Sequence, residues 1–172
     1  MKLYRTQIPR IAQDIIQTLS EAGDIELVPA ASAEAEKDIA AVMEEYVRQD
    51  MKILNEAKDM VASRFESQDS VGKVRRELAE RAGHPTGESG MRWMAGQISE
   101  ALLASPNLEE VYADDIVLGR KIREIFKKHV VADEKIDQEV RARIKNVQEG
   151  TPAWEIQYQK QLKEIRRKYG LA

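Results

Sequence analysis

Side chains that carry acid–base chemistry near neutral pH are scarce in this sequence, which has two histidines and no cysteine. His84 lies between Gly83 and Pro85 in a glycine-rich segment, where we expect an imidazole that titrates freely. His129 lies on or beside an apolar helical stripe and is more typical of packing or of a surface position than of a catalytic base. The sequence lacks the spacings of common zinc, di-iron and EF-hand sites and the glycine motifs that bind phosphates. We therefore predict no catalytic residue, no cofactor and no metal ligand.

Basic side chains are the more suggestive group, because they gather in the second half of the chain. Residues 1–88 carry 12 basic and 17 acidic side chains, whereas residues 89–172 carry 15 basic and 13 acidic ones. A basic face could bind phosphates or an acidic protein, although the whole chain is acidic, with a pI of about 5.6. Cations late in a helix also interact favourably with its dipole without any ligand. The candidate interaction face comprises Arg120, Lys121, Lys127, Lys128, Lys160, Lys163, Arg166, Arg167 and Lys168.

Two aspartates, Asp50 and Asp133, interrupt apolar stripes at equivalent positions of two long helical stretches. In the structural interpretation, Asp133 caps a new helix that begins at Glu134, so that the long helix breaks or kinks there. In the functional interpretation, the two carboxylates form a buried acidic pair that serves as a site. The structural interpretation is favoured because aspartate readily satisfies the free N–H groups at a helix start.

Four aromatic residues invite the alternative of a ligand pocket: Trp93, Tyr112, Trp154 and Tyr158. Aromatic residues make up only 5% of the chain, and a small helical core needs large side chains. We therefore expect these four residues to pack in the core or between the two halves of the chain.

The elements that position these residues recur at a constant offset of 83 positions. Equivalent pairs include Ile15 and Ile98, Ile39 and Ile122, and Ile53 and Ile136. A register held over this length indicates a duplicated structural unit. The glycine-rich segment 83–90 is the predicted linker, which gives a first repeat at residues 1–88 and a second at residues 89–172.

Apolar residues at helical spacing predict a first helix from about Thr6 to Ala22 and a long second helix from Ser32 to about Arg64. A third helix ends each half, and Thr151-Pro152 is a strong start signal for the last one. Two short alternating segments, 25–28 and 108–112, predict strands that could pair as a two-stranded ribbon.

The C-terminal half contains a run of residues, Asp133-Glu134-Lys135-Ile136-Asp137, followed by Glu149-Gly150-Thr151 and then by Trp154-Glu155 and Tyr158. This pattern resembles the bacterial domain-of-unknown-function family 507, whose members are about as long as one repeat. The first half lacks the Gly-Thr and Trp elements and looks like a more divergent copy. The resemblance implies an all-helical bacterial protein and brings no activity, substrate or cofactor.

We therefore predict an all-α protein of two tandem three-helix repeats, each with a long second helix, joined by the short ribbon. The primary hypothesis is a non-enzymatic cytoplasmic protein that binds another protein through its charged helical faces. One alternative is association with RNA or the ribosome through the basic second repeat, and another is an enzyme with an unrecognised site. No apolar stretch approaches the ~18 residues of a membrane span, so we expect no membrane partner.

Overall fold

A computed structural model describes residues 3–65, 67–148 and 151–168, without the side chains of Val131, Asp133 and Glu134. The described part contains six α-helices and one two-stranded sheet, which confirms the predicted all-α class and its ribbon. By internal contacts the chain divides into two compact units, Met1–Phe126 and Lys127–Ala172. The proposed boundary at residue 88 stays a prediction.

Helix α1, Ile8–Glu21, begins the first unit. Pro9 is tolerated there because the first helical turn leaves its backbone N–H groups without an intrahelical acceptor. The apolar stripe of α1 is fully buried and comprises Ile8, Ile11, Ala12, Ile15, Ile16 and Leu19. The helix stops before Gly23, which has a φ of +72° that glycine adopts at little cost.

The ribbon consists of strands β1, Ile25–Leu27, and β2, Leu108–Val111, which pair antiparallel. Ile25 lies opposite Val111, and an irregularity after Glu26 brings Leu27 opposite Leu108. A ribbon this short is marginal alone and depends on packing against helices. Here Ile25 is buried in the same hydrophobic core as α1.

Two long helices, α2 at Ser32–Ser63 and α5 at Asp115–Arg143, run without a break through positions 50 and 133. The prediction that a new helix starts after Asp133 is therefore wrong. A continuous helix has no free N–H groups at position 133 for the aspartate to cap. The side chain of Asp133 lies outside the described part of the chain.

Helix α3, Val71–Arg81, packs its Val74 against Ala57 and Val61 near the end of α2. Helix α4 begins at Gly87 and ends at Ala104, so the predicted linker is shorter than segment 83–90. Met94, Ile98 and Leu102 of α4 are fully buried in the main core. The glycines at 87 and 90 lie inside the first turn of α4 rather than in a flexible connection.

Helix α6, Pro152–Lys168, belongs to the second unit. The predicted start is confirmed, because the Trp154 N–H donates a hydrogen bond to the Thr151 hydroxyl at 3.3 Å. The core of this unit is small and is centred on Ile136, Val140 and Ile165. The sequence also predicts that this helix ends at Gly170, which lies outside the described residues. Among the helices described, none is both long and apolar enough to cross a bilayer.

Candidate functional site

A cluster of polar and aromatic side chains lies where α2, α3 and α4 meet. Tyr46 and Asp50 stand one turn apart on α2, Arg75 comes from α3, and His84 from the α3–α4 connection. Trp93 of α4 flanks the cluster, with its ring centroid 6.1 Å from that of Tyr46. We call these five residues the His84 cluster.

Asp50 is the anion of the His84 cluster. The Arg75 Nη2 donates to both of its carboxylate oxygens, at 2.8 and 2.9 Å. His84 Nε2 lies 3.5 Å from Asp50 Oδ1, just beyond a good hydrogen bond. This buried nitrogen has no hydrogen-bond partner among the described residues, and the imidazole is only 9% exposed. Asp50 thus does not cap a helix, but accepts hydrogen bonds from a cation of α3. The predicted acidic pair with Asp133 stays a prediction, because the Asp133 side chain lies outside the described part of the chain.

Tyr46 closes the cluster from the core side. Its hydroxyl donates to the carbonyl oxygen of Pro85 at 2.9 Å, and its ring packs 4.7 Å from the His84 ring. Burial, with the nearby Asp50 charge, raises the pKa of Tyr46 to about 12. Gly90 lies directly against this hydroxyl, where any Cβ would overlap with it. The tyrosine therefore stays neutral and ties the α3–α4 connection to α2.

The expectation that His84 lies in a flexible linker is wrong, because its ring is packed against Tyr46. Glycine and proline neighbours suggest mobility, but the ring fills a gap beside Tyr46 and is shielded from solvent. The tyrosine–aspartate spacing of one turn on α2 was visible in the sequence. Nothing in the sequence assigned Arg75 or His84 to it, because both come from elements distant along the chain.

The geometry of the His84 cluster suits a structural junction better than acid–base catalysis. A shielded imidazole exposes little surface to a substrate, and Asp50 is already engaged by Arg75. Within the described residues, no group of three histidine or acidic side chains could hold a metal ion. The cluster joins three helices through the Asp50–Arg75 ion pair, the Tyr46 hydroxyl and the contacts of the Tyr46 ring with His84 and Trp93.

The four predicted packing aromatics have different environments. Trp154 and Tyr158 stack in the second unit with centroids 5.0 Å apart, and Arg141 lies 5.4 Å over the Trp154 ring. Trp93 is 41% exposed and Tyr112 is 64% exposed, so neither belongs to the buried core. The Tyr112 hydroxyl donates a hydrogen bond to Glu26, and this bond raises the pKa of Tyr112.

The candidate basic residues divide between the two units. Arg120 and Lys121 belong to the first unit and the other seven to the second. Lys121 is half-buried and donates to Asp24 at 2.5 Å, so it holds the end of the ribbon to α5. Lys168 pairs with Glu139 at 3.1 Å. Arg120 is exposed, as are Lys127 and Lys128.

The solvent face of α6 carries three of the remaining candidate cations in one line, whereas Arg166 of the same helix is half-buried. Lys160, Lys163 and Arg167 are exposed and follow Ile156 at steps of four, three and four residues. Within the described part of the chain they form no ion pair. The second unit has 11 basic and 7 acidic side chains, a net charge of +4, whereas the first unit has a net charge of −7. We call Ile156, Lys160, Lys163 and Arg167 the α6 stripe.

The described residues form six helices and a small ribbon, so the chain is a mostly helical protein. The chain belongs to the family described as Protein of unknown function (DUF507), whose model matches residues 1–171. This match extends over both halves of the chain. A comparison with curated proteins found no match.

Proposed function

We propose that this protein is a non-enzymatic, cytoplasmic bacterial protein that binds an acidic protein surface through the α6 stripe. The observation that carries the proposal is the line of three exposed cations on α6, preceded by Ile156, in a unit of net charge +4. The three cations span about 10 Å along the helix, which is the reach of one partner helix or loop.

Repulsion between the like charges of the α6 stripe lowers the stability of α6 when no partner is bound. Lys163 has a cation three residues before it and another four residues after it, and each such pair destabilises a helix by about 0.2–0.5 kcal/mol. Carboxylates of a partner would remove this repulsion. Of the three cations, only Arg167 lies in the last turn of α6, where the helix dipole offsets part of this repulsion.

Ile156 favours a protein partner over a nucleic acid. Its side chain is 72% exposed at one end of the stripe, and a lone exposed apolar residue gains free energy when a partner covers it. Protein interfaces combine such an apolar contact with a charged rim.

RNA or ribosome binding is the second candidate, supported by the same three cations. RNA binding would depend strongly on salt, because each phosphate contact releases counterions. It would depend little on Ile156. These two properties separate the candidates.

We further propose that the two halves are tandem copies, with the boundary near residue 88. The support is the order helix, strand, helix, helix in each half, together with the pairing of β1 with β2. The differences between the copies then bear on function, since the second copy carries the α6 stripe.

The test compares two variants that each lose three positive charges, one within the α6 stripe and one elsewhere on the surface. The variant Lys160→Gln/Lys163→Gln/Arg167→Gln lowers the charge of the second unit from +4 to +1 and keeps good helix formers. The control Lys52→Gln/Lys58→Gln/Lys73→Gln removes the same charge from exposed positions of α2 and α3. Partners captured from the native cell, with and without nuclease treatment, are purified, and binding is measured by calorimetry.

We expect a nuclease-resistant protein partner whose affinity falls at least tenfold in the stripe variant and in Ile156→Ser, but not in the control. Capture that nuclease abolishes, with purified RNA binding that Ile156→Ser leaves unchanged, would assign the second candidate. Equal binding by the stripe variant and the control would refute both. Turnover of a defined substrate, abolished by one point mutation, would contradict the non-enzymatic assignment.

A further inference from the structure

A second exposed helical face lies on α4 in the first unit. Trp93, Gly96, Glu100 and Leu103 follow one another at steps of three, four and three residues, and all are exposed. Trp93 is 41% exposed and Leu103 is 56% exposed. The opposite side of the same helix, with Met94, Ile98 and Leu102, is fully buried in the core. We call these four exposed residues the α4 face.

Gly96 makes the middle of the α4 face open. A Cβ added at this position would meet no atom within 4 Å, so nothing within the described structure covers it. Glycine here weakens the helix relative to alanine, by about 0.5–1 kcal/mol, without relieving any clash. Its effect is to let another backbone or a long side chain approach the helix closely.

The α4 face is self-complementary in the antiparallel direction. When a second α4 is placed antiparallel over the first, Trp93 meets Leu103 of the second copy. In the same register Gly96 meets Glu100 of the second copy, so a large side chain faces an open position. Both pairings occur twice under two-fold symmetry, as an isologous interface requires.

The charges fit the same register. Arg92 is exposed, lies one turn before Gly96 and has no ionic partner among the described residues. Glu100 accepts a hydrogen bond only from Gln97 at 3.3 Å within its own helix, in the described structure. Arg92 can therefore reach across Gly96 to the carboxylate of Glu100 in the second copy, and the reverse contact repeats it.

We propose that the occupant of the α4 face is a second copy of this chain, which docks its own α4 antiparallel to form a symmetric dimer. The contact is one helix wide, smaller than the ~800 Å² per partner of a stable interface. The dimer is accordingly reversible, and its population rises with protein concentration. This proposal is independent of the α6 stripe.

Sedimentation equilibrium of the full chain across micromolar to submillimolar concentrations tests it. We expect a monomer–dimer equilibrium in the wild type. Gly96→Gln fills the open position with a good helix former, so it should keep or raise the melting temperature while weakening association at least tenfold. A wild type that is monomeric at every concentration would overturn the proposal, as would a dimer that tolerates Gly96→Gln.

Charge exchange tests the antiparallel register. Arg92→Glu and Glu100→Arg should each weaken self-association, because each brings like charges together at both ends of the contact. Mixing the two variants in equal amounts should restore association, since every contact then joins opposite charges. Absence of restoration would overturn the register.

Fluorescence identifies the occupant. In a Trp154→Phe background, Trp93 emission should shift to the blue as the concentration rises, as its exposed ring is covered. A blue shift only upon addition of a different purified protein would assign the face to that protein and overturn the second-copy proposal.

Discussion

Tyr46 combines a buried ring with a hydroxyl whose partner is the carbonyl oxygen of Pro85, 2.9 Å away. Together with the Asp50–Arg75 ion pair, this bond fixes the short α3–α4 connection on α2. Tyr46 and Asp50 could be placed on one helical face from their spacing alone. Their partners could not, because Arg75 and His84 lie 25 or more positions further along the chain.

Tyr46→Phe should lower the free energy of unfolding by about 1 kcal/mol at pH 7, because it leaves the Pro85 carbonyl without its donor. Urea unfolding measures this change. Tyr112→Phe is the matched control, since its ring is 64% exposed and its hydroxyl bonds to Glu26 at the surface. Its effect should stay below about 0.5 kcal/mol. Equal effects would contradict the role of the Pro85 bond.

Stability should also fall above pH 10 because of Tyr46. Its pKa is raised to about 12, whereas an unfolded tyrosine ionises near pH ~10. Its contribution is therefore fully present below pH ~10 and is lost as the pH rises towards about 12, at up to about 1.4 kcal/mol per pH unit. Unfolding midpoints measured from pH 8 to pH 11.5 should fall less steeply in Tyr46→Phe. Identical slopes in the two proteins would refute this.

Two of the three glycines of helix α4, Gly90 and Gly96, differ in their surroundings. Gly90 contacts the Tyr46 hydroxyl and the Pro85 carbonyl, whereas Gly96 faces open space. The sequence offers no reason to distinguish them, and it led to the assignment of Gly90 to a linker. Only the approach of α2 to α4 separates a required glycine from a replaceable one.

Gly90→Ala should destabilise the protein by about 1–3 kcal/mol, since its methyl group overlaps with atoms that cannot all move away. Gly96→Ala should stabilise it by about 0.5–1 kcal/mol through helix propensity. Thermal unfolding of both variants at low concentration measures the pair. A stabilising Gly90→Ala would contradict this prediction, since it would show that the Tyr46 hydroxyl and the Pro85 carbonyl can move aside at little cost.

At the scale of the whole molecule, the two compact units differ in their cores. The first unit buries an extensive cluster drawn from α1, α2, α4 and the first part of α5, whereas the second is centred on three residues. Hydrophobic stabilisation grows with buried apolar area, so the second unit should open more readily.

Ile165→Ala should therefore increase amide hydrogen exchange in α6 and the last turns of α5, leaving α1 and α4 unchanged. Ile98→Ala, at an equally buried position of the first unit, is the matched control and should increase exchange in α1 and α4. If Ile165→Ala also exposed α4, the cooperative unit would instead follow the predicted boundary at residue 88.

The sequence by itself determined the helices, the ribbon and most of the buried residues. Those features depend on local periodicity, on helix stop signals such as Gly23 and on start signals such as Thr151-Pro152. The tertiary structure decided that α5 runs unbroken past Asp133, since packing along a long helix outweighs the capping preference of one residue. It also decided that the His84 side chain is shielded from solvent and that Lys121 pairs with Asp24 at the end of the ribbon. These contacts join residues that lie far apart in sequence and meet only in the fold.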